Sequence, residues 1–206
     1  MKVMFLDLEG SLMLHKSVWR ELNRIFGFTK EEDYMYYRQM IAEGEGKYPE
    51  WIEIVSKKWS EKSPRKSFFD KFFNYKMKFK PEARDFIKKL KEKGIKTVLV
   101  SYAPSPLVKK AAEYLGVDDL IVFHDLEFDE KDFFKRIVLK NYADKLSAVV
   151  DYLKKNKIHR KDTLGLGDSV TDLKMLKYVN KGFWVGDFPV KDIISVSALN
   201  EILNYI

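Results

Sequence analysis

Short apolar runs alternate with helical patterns along most of this chain. Each run has four to six residues, a length typical of buried strands. Strand, helix and strand in alternation favour a parallel sheet with helices on both faces. The predicted strands are residues 2–6, 96–101, 120–124, 163–166 and 182–185.

The clearest helical pattern covers residues 81–93. Phe86, Ile87 and Leu90 repeat at helical spacing and predict one buried face. Pro81 suits the first turn of a helix, and Gly94 suits the position just after its end. The sequence therefore predicts a helix that leads into the second strand.

A long stretch between the first two strands breaks the alternation. It predicts helices at about 16–26, 31–43, 48–60 and 64–76, with turns at 44–46 and 63–64. We interpret residues 14–78 as an inserted all-helical cap. Residues 1–13 and 79–206 then form an α/β core, a Rossmann-like three-layer fold around a parallel sheet.

The predicted cap is rich in aromatic residues. These side chains would either contact a flat or apolar substrate or build the cap's own small core. The sequence leaves both interpretations open for Tyr34, Tyr36, Tyr37, Phe68, Phe69, Phe72 and Phe73.

Composition removes several classes of site. The 206-residue chain has no cysteine, which excludes disulfides and cysteine-ligated metals. Its three histidines, His15, His124 and His159, lack the spacing of a zinc site. The net charge of +7 comes from lysines on helix faces, which we interpret as a solvated surface and not as a nucleic-acid site.

The first apolar run is too short for a signal peptide and is followed at once by Asp7 and Glu9. No apolar run approaches the roughly 20 residues of a membrane span. We therefore expect a cytoplasmic protein with no membrane partner. The oligomeric state stays open.

Acidic clusters follow two of the predicted strands. Asp7 and Glu9 come after the first strand, and Asp168 and Asp172 come after the fourth. Ligands of open α/β sheets bind at the carboxyl ends of strands, where such carboxylates can hold Mg²⁺. Asp7 can then attack a phosphoryl group, while Glu9 serves as general acid and base.

Simpler local roles exist for some of these acids. Asp7 ends a strand at a turn, where Asp is common, and Gly10 lets the backbone turn closely around a ligand. Ser169 and Asp172 also form a helix capping box, which leaves Asp168 without a local role.

Gly10, Ser101 and Lys145 are the candidates for phosphate binding. Ser101 ends the second strand, where its hydroxyl can bind a phosphate or form an ordinary turn. Asp144 is a predicted N-cap that places Lys145 at the start of a helix over 146–156. Lys140 is the competing lysine.

Taken in order, these residues resemble the motifs of the haloacid dehalogenase superfamily, and within it the phosphoserine phosphatase-like branch. The counterpart of the first motif is Asp7-Leu8-Glu9-Gly10-Ser11, and the counterpart of the second motif is Val100-Ser101. Lys145 resembles the third, and the segment from Gly167 to Leu176 the fourth. The resemblance covers nearly the whole chain, and this branch carries its cap after the first motif.

The resemblance implies a Mg²⁺-dependent phosphatase that hydrolyses a small phosphorylated metabolite through an aspartyl-phosphate. It implies that Asp7 is the nucleophile, Glu9 the acid and base, and that Ser101 and Lys145 bind the phosphoryl group. Mg²⁺ would be held by Asp7, the Glu9 backbone carbonyl and Asp168, with Asp172 in support. Transfer to an alcohol acceptor and a catalytically weak phosphate-binding protein are the alternatives.

The chain differs from the phosphoserine phosphatase-like branch at several residues expected around the phosphate and the substrate. Glu9 stands where Asp is usual, and Tyr102-Ala103 stands where the phosphoserine phosphatases carry a Gly pair. Their cap Glu and Arg, which hold serine, have no clear counterparts near His15-Lys16 or residues 51–59. The resemblance therefore does not extend to serine recognition.

Overall fold

A six-stranded parallel sheet forms the centre of the computed structural model, which describes residues 1–42, 48–140 and 144–206, without the side chains of 36, 37 and 39–42. Its strands are β1 Lys2–Leu6, β2 Ile95–Ser101, β3 Asp119–Val122, β6 Thr163–Gly167, β7 Lys181–Trp184 and β8 Ile194–Ser195. Their order in the sheet is β3-β2-β1-β6-β7-β8, so β1 lies between two strands that are distant from it in sequence.

Alternate residues of β1 pack into separate cores on the two faces of this sheet. Met4 and Leu6 belong to one cluster of buried apolar residues, whereas Val3 and Phe5 belong to the other. The first cluster includes residues of α5 (Ala83–Glu92) and α6 (Ser105–Leu115), and the second residues of α7 (Lys145–Asn156) and α8 (Leu173–Tyr178). The predicted three-layer α/β fold is confirmed.

Four helices follow β1 where the sequence predicts them. They are α1 Val18–Ile25, α2 Lys30–Ala42, α3 Tyr48–Ser60 and α4 Lys66–Lys76. Trp59 is fully buried among these helices, with ring centroids 5.0 Å from Phe26 and 5.8 Å from Phe69. Phe69 and Phe73 are buried in this aromatic core, whereas Tyr34 is exposed. The turn predicted at 44–46 and the side chains of Tyr36 and Tyr37 lie outside the described residues.

A β-hairpin, which the sequence analysis does not predict, packs against these helices. Its strands are β4 His124–Phe128 and β5 Phe134–Leu139, paired antiparallel. The Ile137 amide donates to Ser56 Oγ at 3.0 Å, and the Phe134 amide donates to the Pro64 carbonyl at 2.8 Å. The prediction of one strand over 120–124 is therefore wrong at its end, because β3 ends at Val122 and His124 begins the hairpin.

The hairpin comes from a later part of the chain and packs on helices α3 and α4. The structure around these helices is therefore not built from residues 14–78 alone. The boundaries 1–13, 14–78 and 79–206 stay a prediction. No helix among the described residues has both the length and the apolar character that a membrane span requires.

Candidate active site

The predicted site residues meet at the carboxyl ends of β1, β2 and β6. Asp7 directly follows β1, and its amide donates to the Leu166 carbonyl of β6 at 3.0 Å. Ser101 is the last residue of β2, and Asp168 directly follows β6. Because these strands are neighbours in one parallel sheet, their ends bring residues from three parts of the chain together.

Asp7 is held at the centre of this group and is nearly inaccessible to solvent, with an exposed fraction of 5%. One carboxylate oxygen, Oδ1, accepts a hydrogen bond from Lys145 Nζ at 2.5 Å. The other, Oδ2, is buried and has no hydrogen-bond partner among the described residues. A buried polar atom without a partner is costly unless a ligand satisfies it, so Oδ2 marks where a reacting group or ion belongs.

Lys145 connects Asp7 with the second acidic cluster. It is the first residue of α7, and the predicted Asp144 N-cap is present as a capping box with Ser147. Lys145 Nζ also donates to Asp172 Oδ1 at 2.6 Å. The competing Lys140 is more exposed and pairs with Asp125, so the structure brings Lys145 into the site and not Lys140.

Asp172 caps a short helix and also contacts Lys145 in the site. Its Oδ2 accepts from the amides of Asp168 and Ser169, at 3.2 and 3.0 Å, and from the Ser169 hydroxyl at 2.9 Å. The predicted capping box is therefore present, at a short 3-10 helix over Val170–Asp172. Oδ1 remains for Lys145, which means that the two interpretations of Asp172 do not exclude each other.

Gly10 allows the Asp168 carboxylate to lie directly against the backbone. Gly10 has a φ of +80°, and a Cβ atom there would stand 2.1 Å from Asp168 Oδ2. Ser11 Oγ approaches Asp168 Oδ1 from the same turn, at 3.4 Å. Gly10 therefore positions Asp168, a contact that the sequence analysis did not foresee.

The acidic side chains offer a set of ligands that fits a hard divalent cation. Ligand oxygens of Asp7, Asp168 and Asp172 all lie within 4.8 Å of one another. Three ionised carboxylates beside one lysine leave a formal charge of −2, which a Mg²⁺ ion balances.

The charged groups of this centre shift one another's pKa values. Burial raises the pKa of Asp7 well above its ordinary value, with Asp172 and Asp168 adding to the effect, while Lys145 opposes it. Burial alone would lower the pKa of Lys145, but Asp172 and Asp7 together raise it above its ordinary range. Lys145 is therefore a permanent cation beside Asp7.

Glu9 reaches from the core to the helices that follow it. Its Oε1 accepts a hydrogen bond from the Val18 amide at 2.5 Å, at the start of α1. Burial raises the pKa of Glu9 to about 7, although the Val18 hydrogen bond opposes the shift. A carboxyl group that titrates near neutrality can both give and take a proton, as the acid and base role requires.

Ser101 is buried beside these groups. Its Oγ accepts from the Ala103 amide at 3.1 Å, the ordinary turn that the sequence allowed. The hydroxyl proton stays available for a second bond. Its role with phosphate stays a prediction.

A cavity of about 400 Å³ connects these residues with the helical segment. Asp7, Glu9, Ser101, Lys145 and Asp168 line its floor. Its other walls contain residues that sequence reasoning missed as site residues, including Trp19, Tyr48, Trp51, Tyr102 and Trp184. The aromatic residues of the segment 14–78 were a visible signal in the sequence, but only the tertiary structure shows which of them face this cavity.

The model of the haloacid dehalogenase-like hydrolases matches residues 8–177 of this chain. The chain belongs to the haloacid dehalogenase-like hydrolases. Its membership agrees with the order of motifs and with the three-layer fold. A comparison with curated protein sequences finds no significant match.

Solved structures of phosphoserine phosphatases share the fold of this haloacid dehalogenase-like hydrolase over the whole chain. A substrate-bound phosphoserine phosphatase is 23% identical, with a TM-score of 0.75 and coverage of 100% of this chain and 98% of that one. A phospho-aspartyl intermediate analogue of phosphoserine phosphatase is also 23% identical, with a TM-score of 0.70 and the same coverage. Phosphoserine phosphatase from T. onnurineus is 26% identical, with a TM-score of 0.69 and coverage of 99% and 93%. The hydrolase therefore has the fold of the phosphoserine phosphatase-like branch.

Proposed function

We propose that this hydrolase is a Mg²⁺-dependent phosphatase that cleaves a small phosphate monoester through an aspartyl-phosphate. The observation that carries the proposal is the state of Asp7. Lys145 fixes its Oδ1, while the buried Oδ2 has no hydrogen-bond partner in the part of the chain that the structure describes. A carboxylate held in this way is oriented for attack and has one oxygen free to form a bond.

In the first step Asp7 Oδ2 attacks phosphorus, and the bond between phosphorus and the ester oxygen breaks. Glu9 gives its proton to the departing alkoxide, which leaves as the alcohol. In the second step Glu9 takes a proton from water, the water oxygen attacks phosphorus, and the Asp7 carboxylate is released with inorganic phosphate. Glu9 is protonated again at the end of the cycle.

The other residues stabilise charge on the phosphoryl group. Lys145 places a fixed cation beside Asp7, and the Ser101 hydroxyl lies at the neighbouring strand end. Mg²⁺, held by Asp7, Asp168 and the Glu9 backbone carbonyl with Asp172 in support, would neutralise the oxygens that develop negative charge. Asp172 also keeps Lys145 and the Asp168 loop in place through its own hydrogen bonds.

Hydrolysis of para-nitrophenyl phosphate tests this proposal. We expect turnover with Mg²⁺, none with EDTA, and a loss of roughly three orders of magnitude or more in Asp7→Asn, because the nucleophile is then absent. Asp85→Asn, at an exposed position of α5, is the matched control and should keep wild-type activity.

Full activity in Asp7→Asn would refute the assignment of the nucleophile. Adding ethanol or glycerol to the same assay separates transfer to an alcohol from transfer to water, because a phosphotransferase forms a new ester in addition to inorganic phosphate. Phosphate binding without turnover on any ester would instead favour the weak, phosphate-binding alternative.

A further inference from the structure

The cavity above the catalytic residues has a continuous aromatic wall, formed by Trp19, Tyr48, Trp51 and Tyr102. The centroids of Trp19 and Trp51 are 5.7 Å apart, and those of Tyr48 and Trp51 are 5.6 Å apart in a stacked arrangement. Tyr48 and Tyr102 meet edge to face at 5.8 Å. Trp19 also packs against the buried Trp59, with ring centroids 5.3 Å apart, so the aromatic wall is anchored on the core between the helices.

The polar side-chain atoms of Trp19 and Tyr48 are already engaged within the protein. Trp19 Nε1 donates to the Tyr102 carbonyl at 2.7 Å, and the Tyr48 hydroxyl forms a hydrogen bond with Nε2 of the fully buried His124. These bonds fix the two rings in place. The surface that Trp19 and Tyr48 offer to the cavity is therefore mainly ring carbon.

The charged residues that line the cavity outside the catalytic group form pairs of opposite charge. Lys16 Nζ lies 2.8 Å from Asp187, and Arg20 Nε lies 3.8 Å from Asp33. Asp33 also accepts from Asn23 Nδ2 at 2.8 Å. The ammonium and carboxylate groups of a zwitterionic amino-acid substrate would have to displace these contacts in order to pair with the same side chains.

We propose that this cavity selects phosphate monoesters whose alcohol carries an aromatic group. The inference rests on the proposed function, because the phosphoryl group must lie at Asp7 for its alcohol to reach the aromatic wall. A cavity of about 400 Å³ accommodates a ligand of this size. Aromatic side chains bind such a group by apolar burial and by ring contacts with offset or edge-to-face geometry.

Binding of three phosphonates, which cannot be hydrolysed, tests the selection separately from catalysis. The probes are 3-phenylpropylphosphonate, propylphosphonate and 2-amino-4-phosphonobutyrate, which share the phosphoryl group and differ in what the chain carries. In calorimetric titrations with Mg²⁺, we expect the phenyl compound to bind about tenfold or more tightly than propylphosphonate, because it buries an additional ring. The amino-acid phosphonate should bind no more tightly than propylphosphonate.

Variants locate the preference on the aromatic wall. Trp51→Ala should reduce the preference for the phenyl compound to about threefold or less, since much of the apolar contact area is removed. Tyr75→Ala is the matched control, because Tyr75 is an exposed aromatic residue of α4 that does not line the cavity, and it should keep the full preference. If Trp51→Ala does not fold, the comparison of the three phosphonates on the wild-type protein decides alone.

Equal binding of the phenyl and propyl compounds, tighter binding of the amino-acid phosphonate, or no binding of any of the three would overturn the inference. An unchanged preference in a folded Trp51→Ala would overturn it as well. Failure of the proposed function would give a different result. The protein would still bind the phenyl compound more tightly than propylphosphonate, but it would hydrolyse no phosphate ester.

Discussion

Gly10 and Asp168 illustrate how the site depends on individual atoms. The Asp168 carboxylate occupies the space that a Cβ atom of residue 10 would need. Burial raises the pKa of Asp168, and the neighbouring Asp172 adds to this shift. Asp168 is thus packed in a place where burial and a second carboxylate disfavour its charged form. Carboxyl groups with such raised pKa values are typical of functional sites.

Gly10→Ala should displace Asp168 and reduce phosphatase activity on the order of a hundredfold, the effect of moving a reacting group by about 1 Å. Gly94→Ala is the control for backbone strain, because Gly94 has a φ of +71° and open space where its Cβ atom would stand. Both variants should lose about 1 kcal/mol or more of stability from the left-handed conformation. Urea unfolding and activity measured together separate the two effects, and equal activity losses in both variants would contradict the role of Gly10.

Residue types and their order were sufficient to predict which side chains meet. Asp7 and Asp168 follow predictable buried strands and Ser101 ends one, and parallel strands end at the same edge of a sheet. The contact of Glu9 with the Val18 amide was not predictable, because it depends on the angle at which the chain enters α1. The aromatic wall was not predictable either, since its rings come from α1, α3 and the loop after β2.

At the scale of elements, helix α7 positions the cation of the site. The Asp144 side chain accepts from the Ser147 amide at 2.6 Å, and Ser147 Oγ accepts from the Asp144 amide at 2.9 Å. This reciprocal pair fixes the first turn of α7, in which Lys145 lies. The N-cap therefore contributes to both stability and the placement of Lys145.

Asp144→Ala should lower the free energy of unfolding by about 1 kcal/mol, the usual effect of removing an N-cap side chain. Asp144→Asn keeps an acceptor oxygen and should stay within a few tenths of a kcal/mol of the wild type. Chemical denaturation of the three proteins measures the difference. A loss of equal size in both variants would point to the charge of Asp144, which lies near Lys174, and not to capping.

Elements differ in how strongly their own residues specify them. β1 and β6 are fully enclosed parallel strands, so their sequences are continuous apolar or small-residue runs that predict strands directly. The hairpin has charged and apolar residues in alternation over residues 125–128 of β4 but not along β5, where Lys135 and Arg136 are adjacent. It is stabilised by packing against α3 and α4, and no local pattern in the sequence reports that contact.

At the scale of the whole molecule, His124 joins the hairpin to helix α3 through Tyr48. Burial lowers the pKa of His124 to about 3, although the charge of the neighbouring Asp125 opposes the shift. The unfolded chain binds a proton at this residue near pH 6.5, while the folded chain does not. Stability from this residue is therefore present above pH 6.5 and is lost as the pH falls toward 3.

Between pH 7.0 and 5.5, the wild type should lose about 1 kcal/mol more stability than His124→Gln, which has no group that titrates there. Denaturant unfolding at several pH values measures this difference. The exposed His159→Gln is the control and should follow the wild-type profile. Parallel profiles for the wild type and His124→Gln would contradict the burial of a neutral His124.

The position of β1 in the middle of the sheet also has a consequence for synthesis on the ribosome. Lys145 is 138 residues from the Asp7 carboxylate that it contacts, and Ser11 is 157 residues from Asp168. Contacts of such length form late in folding, since the loops between them must close first. A nascent chain therefore exposes its nucleophile early but acquires the surrounding charges only after β6 has emerged, so incomplete translation products should have no hydrolytic activity.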